Sequence, residues 1–178
     1  MFATIYLANF YLQAATRHQP ELHAKPVALI QEEDRKPVII QLNDAAEKAG
    51  IRKGMTPSQA LARSLQVVIK VRARAQEKSI QEILLHYAFT LSPFVENTAP
   101  GVCTIQFTNY RDLSPKLAQV IEQLAKCEIA AQAAIASTSH TSFLAAHLAR
   151  PVLQIVNAKE FLAPLPIETL ATSSHDFL

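Results

Sequence analysis

From residue 94 onward the hydrophobic period of this chain switches repeatedly. Residues 94–98 and 102–107 are β-rich and flank the turn Ala99-Pro100-Gly101, and Leu117, Val120, Ile121 and Leu124 then recur at helical spacing behind Ser114-Pro115. Residues 129–137 read as an alanine-rich strand, 141–149 as a helix, and 152–156 as a short strand after Pro151. Few architectures satisfy the order strand, strand, helix, strand, helix, strand, because each apolar strand face needs a covering layer. The order predicts an α+β fold, a sheet of antiparallel or mixed order covered by helices.

The first half adds to that sheet and then interrupts it. Residues 2–7 read as a buried strand and 10–17 as a short helix that Pro20 ends. The β-branched runs 26–30 and 37–42 flank the polar residues 31–36, the pattern of a hairpin. Asn43 can cap a helix that stops at Gly50. Thr56-Pro57-Ser58-Gln59 is a capping box with proline at the first helical position, which predicts a helix over 57–64. Ile80, Ile83, Leu84, Tyr87 and Leu91 then form a helical stripe over 77–91, ended by Pro93. Residues 18–75 are therefore a mixed insertion in the sheet. Near the end of the chain, Asn157-Ala158-Lys159-Glu160 is a second capping box.

Composition removes several function classes. With 178 residues, 49% of them hydrophobic and 18% charged, the chain can bury a core unaided, which excludes a disordered tail protein. No apolar run approaches the ~18 residues of a membrane span, so no membrane association is expected. The start, Met1-Phe2-Ala3-Thr4-Ile5-Tyr6-Leu7, lacks the basic region of a secretory signal and reads as a native N-terminus. Cys103 and Cys127 are too few for a metal cage and read as reduced thiols of a cytoplasmic protein. The three glycines, Gly50, Gly54 and Gly101, permit neither a dinucleotide fingerprint nor a phosphate loop. His140 and His147 can share a helix face, but no acidic residue or cysteine nearby completes a metal site. Asp44 and Glu47, at i and i+3, can hold a cation, although a first helical turn favours acids in any case. Ser137, Ser139 and Ser142 surround His140 without a nucleophile elbow. No metal and no cofactor is expected.

Charge is informative through its distribution. Between Lys48 and Lys78 eight basic residues face one acid, Glu77, a balance of +7 in a chain whose net charge is +2. Such a block is a footprint for a polyanion. Residues 67–74 alternate, which places Lys70, Arg72 and Arg74 on one strand face, opposite Ile69, Val71 and Ala73. Same-face side chains on a strand lie roughly 6.5–7 Å apart, near the phosphate spacing of one nucleic-acid strand. With Lys53 and Arg63 these residues are the candidate DNA contacts. The competing reading is a solvated face that guards a strand edge.

The succession Ile5-Tyr6-Leu7-Ala8-Asn9-Phe10-Tyr11, then Lys25-Pro26-Val27-Ala28-Leu29, then Ala49-Gly50-Ile51-Arg52-Lys53-Gly54-Met55, resembles the opening of Y-family translesion DNA polymerases. Phe94-Val95-Glu96-Asn97-Thr98, Phe143-Leu144-Ala145-Ala146-His147 and Phe161-Leu162-Ala163-Pro164-Leu165 resemble later parts of the same family in the same order. The resemblance implies a polymerase-type palm over residues 1–10 and 76–157, an inserted small fingers subdomain over 11–75, and in 158–178 the start of a connection to an absent thumb.

It also implies degenerate positions. The family's first two aspartates fall on Tyr6 and Ala8, and its later Asp-Glu pair on about Pro100 and Gly101, none of which can ligate the two metal ions of phosphoryl transfer. Its triphosphate-contacting Tyr and Arg fall on Asp44 and Glu47, which turns a cationic clamp anionic. The usual Lys near the start of the last palm helix is missing around Ser139 and His140. These departures resemble the catalytically silent ImuB-type branch. That branch implies an adaptor in DNA repair and damage-induced mutagenesis, with DNA, a sliding clamp, a companion mutagenesis accessory protein and an error-prone replicative-type polymerase as partners. Two other readings stay open: a nucleotidyltransferase using other carboxylates such as Glu96, and a protein-interaction domain without nucleic-acid binding.

Overall fold

The computed structural model describes residues 1–31, 36–108, 112–167 and 169. In chain order its elements are β1 (Phe2–Tyr6), α1 (Phe10–Thr16), β2 (Val27–Ile30), β3 (Ile39–Leu42), α2 (Asp44–Lys48), α3 (Pro57–Arg63), β4 (Val68–Val71) and α4 (Arg74–Leu91). There follow β5 (Val95–Ala99), β6 (Val102–Gln106), α5 (Leu113–Lys126), β7 (Gln132–Ala136), α6 (Ser139–Ala146), β8 (Val152–Gln154) and α7 (Ala158–Leu162). The chain divides into two compact units, Met1–Ala8 with Gln81–Leu178, and Asn9–Ile80. One division falls inside α4, whereas the sequence pattern places it before residue 76. The helix starts at Arg74 and runs on unbroken.

In the first unit the strands lie in the order β5-β6-β1-β7-β8, with β1 antiparallel to β6 and β7, and β8 parallel to β7. Period-two alternation sorts the central strand. Ala3 and Ile5 are fully buried on one face, in register with Ile105 and Cys103, while Thr4 and Tyr6 turn to the face that α6 covers. Ala134 and Ala136 meet Ala145 and Ala146 of α6 there. Small side chains on both sides let helix and strand approach closely, which explains the alanine-rich pattern of this stretch. α5 buries the expected stripe of Leu117, Val120, Ile121 and Leu124. α6 starts at Ser139, two residues earlier than its apolar pattern suggests, because the Thr138 hydroxyl accepts the Thr141 amide at 3.2 Å and caps it.

The second unit has a sheet in the order β3-β2-β4, with β2 antiparallel to β3 and parallel to β4. One face packs Val67 and Ile69 with Ile39, Leu42, Ala46, Ile51 and Ala60, under α2 and α3. The other packs Val27, Leu29 and Val68 with Leu12 and Ala15 of α1. The Asn43 carboxamide joins these pieces: it accepts the Ala46 and Val27 amides at 3.0 Å each and donates to the Lys25 carbonyl at 2.8 Å. The capping box at Thr56 and Gln59 forms as the sequence requires. Part of the 31–36 hairpin turn and most of 168–178 lie outside the described residues.

Candidate functional site

In the first unit the positions singled out by sequence meet at one end of the sheet. β1 ends at Tyr6 opposite Val102, and the Leu7 amide donates to the Gly101 carbonyl at 2.8 Å, so the β5–β6 turn lies beside the exit of β1. Gly101 has φ 74°, a left-handed conformation that suits glycine in this turn. Its amide donates to the Gln81 side-chain oxygen at 2.7 Å, and the Gln81 amide group donates to Asn97 at 2.7 Å, which fixes the turn on α4.

The side chains at this place are apolar and aromatic. The Tyr6 ring stacks on His147 with 4.0 Å between centroids, and His147 lies 4.8 Å from Phe143. His147 Nδ1 is 2.8 Å from the Phe143 carbonyl, so this nitrogen carries a proton and donates it within its own helix. Two residues back along β1 runs a line of hydroxyls: Thr98 donates to Thr104 at 2.8 Å, Thr104 and Thr4 are 3.5 Å apart, Thr4 reaches Ser142 at 2.8 Å, and Ser142 donates to the Ser139 carbonyl at 2.8 Å. Ser142 is fully buried and committed, which removes it as a nucleophile. Glu96 is exposed on β5 opposite Thr104. Among the described residues no group of three or more His, Cys, Asp or Glu side chains could hold a metal ion.

In the second unit Asp44 and Glu47 are exposed in the first turn of α2 behind the Asn43 cap. Lys53 is exposed in the loop before α3, and Arg63 in its last turn. Arg52 is used locally: its guanidinium donates to the Glu47 and Ile51 carbonyls at 2.7 Å each and so closes the C-terminal end of α2.

The expected basic row of Lys70, Arg72 and Arg74 does not form. The strand ends at Val71, and Arg74 is already the first residue of α4. The face of Lys70 and Arg72 is that of Val68, which packs against α1. Arg72 makes a two-point ion pair with Glu77, at 2.9 and 2.7 Å, with side chains 11% and 9% exposed, and its guanidinium lies 3.8 Å over the Tyr11 ring. Glu77, the one acid of the basic block, thus draws Arg72 away from solvent. Sequence reasoning missed this pair and the hydroxyl line. The traces were a lone acid among cations, and Thr4 and Thr104 in otherwise apolar strands.

The sequence matches the model of the IMS family, described as impB/mucB/samB, over residues 5–148. The chain belongs to the impB/mucB/samB family. No curated protein matches it. Among solved structures, this family member is similar to the post-insertion binary complex of Dbh DNA polymerase, at 15% identity and a TM-score of 0.83 over 94% of this chain and 52% of that one. The insertion ternary complex of Dbh DNA polymerase matches at 14% identity, with TM-score 0.82, 94% of this chain and 53% of that one. DinB from Sulfolobus solfataricus matches at 15% identity, with TM-score 0.81, 94% of this chain and 52% of that one. The impB/mucB/samB chain therefore has the palm-and-fingers fold of Y-family polymerases, and spans about half the length of these structures. No helix among the described residues is long and apolar enough to cross a membrane.

Proposed function

We propose that this chain is a catalytically silent, ImuB-type palm and fingers that acts in the cytoplasm as an adaptor for DNA or partner proteins in damage-induced mutagenesis. The observation that carries the reading is the convergence of the β1 exit and the β5–β6 turn; it supports the family resemblance, under which Tyr6, Ala8, Pro100 and Gly101 stand in for the carboxylates that in-line phosphoryl transfer needs. The stacked rings of Tyr6, His147 and Phe143 offer an Mg²⁺ ion no carboxylate. The exposed carboxylates of Asp44 and Glu47 repel a triphosphate.

DNA is the favoured ligand because charge is segregated. The second unit, Asn9–Ile80, which we read as the fingers, carries twelve basic against seven acidic residues, a balance of +5, while the first unit, read as the palm, carries five against eight, −3. Contacts run through phosphates to Lys53, Arg63, Lys70 and Arg74 and read little sequence. Arg72 is left out because its guanidinium is held by Glu77. A sliding clamp, a companion accessory protein and an error-prone polymerase complete the set of partners that the ImuB-type resemblance implies.

The test is primer extension with Mg²⁺ and with Mn²⁺, alongside calorimetry with each deoxynucleoside triphosphate. No incorporation and no micromolar nucleotide binding are expected. Templated incorporation would end the silent reading.

A further inference from the structure

The three-stranded sheet of the fingers has two outer edges, and the chain treats them differently. The edge of β3 is sealed by the loop before α3: the Ile39 amide donates to the Met55 carbonyl and the Gly54 amide to the Ile39 carbonyl, each at 2.8 Å. β4 has a partner on one side only, β2. The Val68 and Arg72 amides donate to Pro26 and Ile30 of that side at 2.8 and 3.1 Å. In a parallel ladder the alternate residues, Ile69 and Val71, then turn their N–H and C=O groups outward. Among the described residues no other strand pairs with that edge.

The surroundings of the edge are apolar and basic. Leu61 on α3, Leu65 just before β4 and Val71 at its end are 41%, 90% and 37% exposed. Ile69 packs on the cluster that includes Ala60 of α3, so by alternation Val71 shares the α3 face, while Lys70 points to the other. Arg63 is exposed in the last turn of α3.

We propose that β4 is a docking edge that takes an extended segment of a partner protein as a fourth strand, and that this segment alternates apolar and acidic residues. The outward backbone groups supply the ladder. Apolar residues of the segment would lie on the α3 face beside Val71 and Leu61, and its carboxylates on the face of Lys70. A second copy of this chain fits less well, since β4 against β4 puts two Lys70 side chains on one short ladder. A nucleic acid would use Lys70 and Arg63 but leave the outward amides and Leu65 unused. The inference goes beyond the adaptor reading and does not rest on the palm being silent, because strand capture and primer extension are separate measurements.

The probe is a short labelled peptide alternating glutamate and valine, followed by fluorescence anisotropy on the whole chain. It should bind, more weakly at high salt, and Lys70→Glu should weaken it. Val71→Pro should weaken it at least about tenfold while leaving the β2–β4 bonds intact, because the amide it removes points outward. Peptides N-methylated on all valines or on all glutamates give a readout that needs no protein variant: one set should fail to bind and the other should bind. Equal binding of both sets, or no binding of the parent peptide, would overturn the proposal. So would a chain that holds duplex DNA but not the peptide, which would make this edge a phosphate surface.

Discussion

Removing Arg72 or Glu77 should destabilise the second unit far more than removing both. Taking one partner from a buried ion pair typically costs ~3–5 kcal/mol, because the remaining charge is left unpaired in a poorly hydrated place. Both side chains keep about a tenth of their exposure, 11% and 9%, so some water reaches the orphan and the lower end of that range applies. For Glu77→Leu we expect about 3 kcal/mol. Arg72→Met loses the guanidinium over Tyr11 as well, a further ~0.5–1 kcal/mol. The double variant leaves no orphan charge and keeps apolar bulk in both places, so it should cost only ~1–2 kcal/mol. Thermal unfolding followed by circular dichroism reads this directly, since a chain of this size loses about 2–4 °C of Tm per kcal/mol. Glu77→Leu should fall by roughly 6–12 °C, Arg72→Met by roughly 7–16 °C, and the double by much less. If the double variant loses as much as the two singles together, the pair is not coupled and Arg72 has to be reassigned, with phosphate contact as the first alternative.

Other expectations follow from the same geometry. Lys53→Ala and Arg63→Ala should each lower the slope of log affinity for DNA against log salt by about one unit, whereas Arg72→Met should leave the slope unchanged. Thr56→Ala removes the hydroxyl that accepts the Gln59 amide and should cost about 1 kcal/mol, with Thr56→Ser close to the parent in urea unfolding. Burial pushes the Cys103 thiol from 9.0 up to about 12. The unfolded chain therefore ionises this group first, and stability should fall as pH rises from about 9 to 12, a loss that Cys103→Ser should reduce. At neutral pH, alkylation followed by mass spectrometry should find the half-exposed Cys127 modified and Cys103 protected until the chain unfolds.

Elements governed by local rules were legible in the sequence. The Thr56 box, the Asn43 cap, the Gly101 turn and the α5 stripe depend on a few neighbouring residues, and the chain folds them where those residues stand. The meeting of Tyr6 with the Pro100-Gly101 turn was reachable through the family resemblance alone, since no spacing rule joins residues so far apart in the chain. The fate of Arg72 was not legible. Alternation over 67–74 is compatible with an open face, and only the positions of α1 and Glu77 decide that Val68 and Arg72 are drawn in while Lys70 stays half-exposed. The start of α4 was missed for a related reason: its first turn contains Arg74 and Glu77 rather than apolar residues, so the hydrophobic stripe begins a turn late. The parallel pairing of β2 with β4 likewise depends on the path of α2 and α3, which short-range patterns do not record.

α4 belongs to both units, with Arg74–Ile80 on one side of the division and Gln81–Leu91 on the other. The second unit, although continuous in sequence, is therefore not a detachable cassette. A cut after Ile80 would leave a two-turn stub with its last carbonyls unpartnered, too short to hold helical structure alone and still responsible for presenting Glu77 to Arg72. Domain exchange between relatives of this fold should therefore succeed only when the whole of α4 travels with one side, and grafts that split it should lose the Arg72 anchor along with the helix.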